Sequence, residues 1–179
     1  MSALKILVIP GSLRSGSLNA KLAAVAAHAL AQEGAEITRI SLSDFPLPIY
    51  DGDLQAKSGV PKHAVNLKRM MAAHHGVLIV TPEYNSSVPA LVKNAIDWVS
   101  RVQDVHETRG QVFRERVFAI ASASATPGRS SATIRRSFGT IPTGCMSPHI
   151  RRCETSINCR ASAFNPSVSA ACFRRSISS

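Results

Sequence analysis

Short apolar runs alternate along the first two thirds of the chain with longer stretches in which apolar residues recur every three to four positions. Residues 4–10 (LKILVIP) form a compact apolar run closed by Pro and Gly, the pattern of a strand buried on both faces. After a polar loop, Leu22, Val25, Ala26, Ala29 and Leu30 fall at helical spacing, and the helix they predict ends near Gly34. Residues 36–42 (EITRISL) alternate and predict a second strand. Residues 44–61 are rich in Pro, Gly and Asp and read as a long loop. A helix is predicted from about Lys62 to His74, with Val65, Leu67 and Met71 as its apolar members and His74-His75 at its end. Residues 76–81 (GVLIVT) predict a third buried strand, and residues 82–88 a polar turn. A helix follows from Pro89 to about Arg101, with Leu91, Ala95 and the core residue Trp98 on one face. Lys93 and Asp97, four apart, are placed to pair on its surface. Residues 102–116 are polar, and residues 117–124 (VFAIASAS) predict a fourth strand.

Alternating strands and helices imply right-handed crossovers and a parallel sheet covered on both sides, a doubly wound three-layer α/β/α fold. Ligands in such sheets sit outside the carboxyl ends of the strands, near the point where the strand order reverses. The loops after Pro10, Thr81 and Ile120 are therefore the candidate site before any motif is considered.

Charge changes the picture only at one end. Residues 1–124 carry 13 Lys and Arg against 10 Asp and Glu, an ordinary mixed surface. Residues 125–179 carry 8 Arg, no Lys and a single acid, Glu154, so most of the net charge of +10 belongs to that segment. The basic excess comes without a nucleic-acid motif or interleaved aromatics, which argues against a nucleic-acid partner. The four cysteines (Cys145, Cys153, Cys159, Cys172) also lie there, without zinc-ribbon spacing, and no metal site is expected. No apolar run is long enough to span a bilayer, and the short N-terminal run lacks a signal-peptide pattern; a cytoplasmic protein is expected.

The first loop, GSLRSGSLN (residues 11–19), combines two glycines, hydroxyls at Ser12, Ser15 and Ser17, the amide of Asn19 and a helix N-terminus. These are the parts of an anion cradle, to which Arg14 adds a charge-assisted contact. A P-loop and the dinucleotide fingerprint G-x-G-x-x-G are both excluded by the spacing. The plain alternative is a Ser/Gly-rich loop with a surface Arg and a Ser helix cap. The second loop, TPEYNSSVP (residues 81–89), precedes ALVKNAIDW. No acid, base and nucleophile converge in the sequence as a catalytic triad would require, and the six histidines are scattered.

GSLRxGSxN together with PEYNxSxP and KNAIDW resembles the NAD(P)H-dependent FMN reductase family, which includes quinone and chromate reductases. The resemblance covers roughly residues 3–124. It implies a flavodoxin-like fold holding FMN noncovalently, with NAD(P)H as co-substrate and flavin, quinone or a similar small molecule as acceptor. It places Ser12, Arg14, Ser17 and Asn19 around the phosphate, counts Leu18 among the cofactor-binding residues, and puts Pro82, Glu83, Tyr84 and Asn85 along the ring with Ser122 and Ser124 on the ring's other side. It also implies a homodimer or homotetramer. A flavodoxin-type electron carrier without its own NAD(P)H turnover, and an inactive product of a damaged gene, stay open as alternatives.

Two departures from the family pattern stand out. Ala90 follows Pro89 where Gly is common, and residues 121–128 are longer than the corresponding turn. Beyond residue 124 the family continues with helix, strand and helix, whereas this chain turns rich in Arg, Ser and Cys and loses Leu and Lys altogether. The expected organisation is a flavodoxin-like domain over residues 1–124 and an atypical tail over residues 125–179 without a convincing strand. The abrupt change leads to the expectation of a shifted reading frame near the junction, from an assembly error or a genuine frameshift. Such a shift would leave the sheet edge beside the fourth strand uncovered.

Overall fold

The computed structural model describes residues 3–104, 107–126, 129–137 and 159–160, with side chains through residue 123. Strand β1 (Lys5–Pro10) leads into helix α1 (Leu18–Gln32) and strand β2 (Glu36–Arg39). A 3-10 turn (Leu42–Asp44) and helices α2 (Gly52–Ser58) and α3 (Lys62–Ala72) precede strand β3 (Gly76–Val80). Helix α4 (Ala90–Val99), the short α5 (Gln111–Arg114) and strand β4 (Val117–Thr126) follow. Strands β5 (Arg129–Ser137) and β6 (Cys159–Arg160) complete the described elements.

The sheet order is β2-β1-β3-β4-β5-β6, and the first four strands are parallel. This is the flavodoxin-like arrangement expected from the alternation of elements. The chain starts at β1, steps to β2 on one side, then crosses to β3 on the other, so the reversal lies between β1 and β3.

The apolar runs are continuous because the strands are buried on both faces. In β1, Leu7 and Ile9 pack with Val77, Ile79, Leu67, Met71, Val92 and Val99, the side covered by α3 and α4. Ile6 and Val8 pack with Leu78, Val80, Ala119, Ala121, Leu22 and Leu30, the side covered by α1. Consecutive residues thus serve opposite cores, and neither face tolerates a polar position.

A smaller cluster fixes the connection after β2. Trp98 is fully buried with Ala64 and Val102, and its Nε1 donates to the Pro48 carbonyl at 2.8 Å. Tyr50 meets Trp98 edge-on at 5.1 Å, and the Arg101 guanidinium lies 4.8 Å from the Tyr50 ring centre. Asn94 accepts from Tyr50 N at 2.8 Å and donates to Pro48 O at 2.9 Å. On α3, the buried Lys68 ammonium is bonded by Asp104 at 2.8 Å and by Glu107, tying the segment after α4 to that helix.

Several expectations meet their structure directly. Helix α1 stops before Gly34, Lys93 Nζ reaches Asp97 at 2.6 Å, and His74 Nδ1 sits 2.6 Å from Met70 O at the end of α3. Two expectations need correction. The stretch read as one long loop contains α2, capped by Asp51 accepting from Asp53 N at 2.8 Å and closed by Gly59. Its signal was the acid at the first turn and Lys57 at the last, which suits the helix dipole even without an apolar stripe.

The tail, read as lacking a strand, supplies β5, which pairs antiparallel with β4 from Phe118↔Ser137 to Thr126↔Arg129. An uncovered strand edge offers a full row of backbone donors and acceptors, so pairing there rests on the main chain rather than on apolar alternation. Residues 138–158 and 161–179, with Cys145, Cys153 and Cys172, lie outside the described residues.

Candidate functional site

The carboxyl ends of β1, β3 and β4 lie side by side, since Pro10 pairs with Val80 and Val80 with Ala121. The loops after β1 and β3 therefore leave the same rim, next to each other, where the strand order reverses. Three hydrogen-bonded links tie that rim together. Gly11 N donates to Val80 O at 2.7 Å, and Thr81 N donates to Ala121 O at 2.9 Å. Asn19 then bridges to Ala123: its Nδ2 donates to Ala123 O at 3.0 Å and its Oδ1 accepts from Ala123 N at 2.8 Å.

Gly11 is required by close approach. A Cβ there would stand 2.4 Å from Thr81 Oγ1, 2.6 Å from Thr81 Cβ and 2.7 Å from Val92 Cγ2. Gly16 is required by conformation, with φ at 68° and open space where a side chain would go. Between them the loop curls back: Ser17 N donates to Arg14 O at 3.2 Å, and Ser12 Oγ accepts from Arg14 N at 3.4 Å. Ser17 is buried and caps α1, its Oγ accepting from Ala20 N at 3.4 Å. Arg14 and Ser15 are exposed, Leu18 lies at the surface, and Asn19 is buried.

The second loop makes a tight turn. Tyr84 N donates to Ser87 O at 2.8 Å and Ser87 N donates to Tyr84 O at 3.0 Å, with Asn85 and Ser86 at φ of 51° and 59°. Positive φ at both central residues defines a type I′ turn, which Asn tolerates better than most side chains. Pro82 is half-buried; Glu83, Tyr84 and Asn85 are exposed. Pro89 then opens α4, whose N-terminus faces the same rim. Ser122 is half-buried on β4; the backbone of Ser124 continues that strand, while its side chain lies outside the described residues.

The structure thus brings the first loop, the second loop and the end of β4 to one rim. Sequence reasoning named the members but missed Thr81 and Ala123 as the residues that bind these segments together. Thr81 opened the second loop, one residue ahead of the PEYNxSxP motif. Ala123 carries no chemistry of its own and gave no signal.

A family described as NADPH-dependent FMN reductase matches residues 4–147. The chain belongs to this family. The match runs past residue 124, where the composition changes. A quinone reductase from Escherichia coli K12 is 42% identical over 102 residues, 56% of this chain and 53% of that protein. A 2-hydroxy-1,4-benzoquinone reductase from a Burkholderia species is 38% identical over 150 residues, 83% of this chain and 69% of that protein. Among solved structures, FerB, a flavoenzyme NAD(P)H:(acceptor) oxidoreductase from Paracoccus denitrificans, is 35% identical with a TM-score of 0.54, covering 68% of this chain and 62% of that one. The chain therefore spans about half the length of the E. coli relative and more of the other two. As a family member it has the flavodoxin-like sheet the sequence implied. Among the described residues, no helix is long and apolar enough to cross a membrane, and no group of His, Cys, Asp and Glu could hold a metal ion.

Proposed function

We propose that this chain is an NAD(P)H-dependent, FMN-containing oxidoreductase that reduces quinones, flavins or similar small acceptors. The observation that carries the reading is the convergence of the 11–19 cradle and the 82–87 turn on one rim, at the switch point between β1 and β3.

The residues present fit FMN. Space beside Gly16 is open, and the α1 N-terminus close to it offers backbone N–H groups and a positive dipole end to an anion. Arg14, exposed on the loop, supplies a charge-assisted contact to the phosphate. Ser12 and Ser17 line the same cradle, with Ser17 also capping the helix. On the second loop the turn already commits the amides of Tyr84 and Ser87, so the donors left for ring heteroatoms are those of Glu83, Asn85 and Ser86. Tyr84 offers an apolar face with a polar tip. The α4 N-terminus favours negative charge near this turn. The bound flavin would supply hydride acceptance and donation, and the protein need only position it and tune its charge. The same reading expects a cytoplasmic homodimer or homotetramer.

The test is purification of the full chain with FMN. Retained flavin absorbance that bleaches with NADPH and returns with added quinone is the expected result. Arg14→Ala should weaken FMN but leave riboflavin, which lacks the phosphate, bound as before. A chain that retains no FMN refutes the reading; retention without bleaching by NADPH or NADH points to an electron carrier.

A further inference from the structure

Strand β3 stops serving β4 at the rim. Thr81 N donates to Ala121 O, and a continuing parallel ladder would next offer Thr81 O and the amide of residue 83 to Ala123. The chain turns away instead at Pro82, which has no N–H. Both main-chain groups of Ala123 are met by the Asn19 carboxamide, at 2.8 Å and 3.0 Å, across 104 residues of sequence. Asn19 is 3% exposed. Its side chain is turned to the sheet, with one donor and one acceptor already committed there.

We propose that Asn19 is a positioning residue: its carboxamide stands in for the missing strand partner of Ala123 and fixes the end of β4 beside the flavin ring, rather than contacting the phosphate. This rests on the flavin reading above. The latch joins two halves of the site through one helix end. Ser17 caps the first turn of α1 where the phosphate is placed, and Asn19, in that same turn, holds the strand. A shift of β4 away from α1 would widen the ring side while leaving the cradle intact.

The experiment pairs two measurements on Asn19→Ala and Asn19→Leu. The Leu variant keeps a side chain of similar size and guards against a simple folding failure. In the cofactor-free full chain, amide hydrogen exchange at Ala123 should accelerate by about tenfold or more in both variants, the scale of a lost hydrogen bond to a partly buried group. Dissociation constants for FMN and riboflavin should rise by similar factors, about tenfold, whereas Arg14→Ala raises only the FMN value. Loss of FMN affinity with riboflavin binding and Ala123 exchange unchanged would make Asn19 a phosphate ligand and overturn the proposal. Faster exchange with both affinities unchanged would also overturn it, leaving a purely structural bond. A wild-type chain that binds neither flavin refutes the function, and the positioning role with it, whereas the exchange result still reports whether the latch exists.

Discussion

Replacing Gly11 with alanine tests whether the two loops meet as tightly as the rim geometry requires. The new methyl group would sit 2.4 Å and 2.6 Å from two atoms of Thr81 and 2.7 Å from Val92 Cγ2. Real carbon contacts are about 3.5 Å or more, so something must move. Thr81 is held by its own bond to Ala121 O, and Val92 sits in the first turn of α4 against the core. Neither neighbour is the loose end of a flexible side chain. Overpacking of this kind costs about 1–3 kcal/mol, and the upper half applies because two of the three contacts are to one anchored residue. The loss of glycine's freedom in the unfolded chain returns about 0.4–1 kcal/mol. The net expectation is a destabilisation of about 1–2 kcal/mol, or a fall of roughly 2–8 °C in melting temperature for a chain of this size. Urea unfolding of the cofactor-free protein reads this directly. Gly52→Ala is the control, because nothing lies within 4 Å of that position and it opens α2, where alanine is favoured. It should be neutral or slightly stabilising. Equal unfolding midpoints for the two variants would refute the close approach of the loops.

Three further outcomes follow from other parts of the molecule. The hydrogen bond and charge of Lys68 hold the Asp104 carboxyl below its ordinary value of 3.8. Burial pushes Lys68 down, but its bonds to Asp104 and Glu107 and their charges outweigh it and leave it above 10.5. The stabilisation from Asp104 is therefore present above about pH 4 and lost as pH falls through its lowered value. That from Lys68 is present below about pH 10.5 and lost as pH rises through its raised value. The unfolding midpoint of Lys68→Met should show a weaker fall at both extremes than the wild type. Trp98→Phe removes a donor to Pro48 O, and Asn94→Ala removes another, each expected to cost about 1–2 kcal/mol by denaturant unfolding. Because both act on one carbonyl, the double variant should depart from additivity. Resequencing the gene from independent isolates tests the frame shift: an interrupted frame beyond codon 124 supports it, and an uninterrupted frame that still encodes the Arg- and Ser-rich tail, the outcome the family match through residue 147 favours, dismisses it.

The parallel sheet was legible because its strands are buried on both faces and so appear as unbroken apolar runs. Leu7 and Ile9 serve one core and Ile6 and Val8 the other, leaving no polar position to blur the pattern. The loop after β1 was legible as a candidate site for a different reason. Gly11, Ser12, Arg14, Gly16 and Ser17 fall close together in one segment, although the approach of Thr81 and Val92 that demands Gly11 left no local sign. Asn19 shows where such reading stops. Its residue type and place in the motif suit an anion ligand, yet its two bonds go to Ala123, and a partner 104 positions away leaves no local trace. The staple of Asn94 to Pro48 and Tyr50 was hidden in the same way. Helix α2 was hidden by composition: it buries no residue, so it carries no apolar stripe and is recognised only by its caps and charges.

The unusual tail and the rim use different sides of β4. The two main-chain groups of a strand residue point to the same neighbour, and successive residues alternate. Ala121 accepts from Thr81 and Ala123 bonds Asn19, so these residues face β3 and α1. The residues between and beyond them, Ser122 and Ser124, turn their main-chain groups toward β5. The links at Gly11, Thr81 and Asn19 all lie within residues 11–123 and none involves the tail. A change in the sequence that fills the β5 position therefore acts on the far edge of β4. It can alter how firmly the sheet is closed, but it leaves intact the hydrogen bonds that align the cradle with the turn.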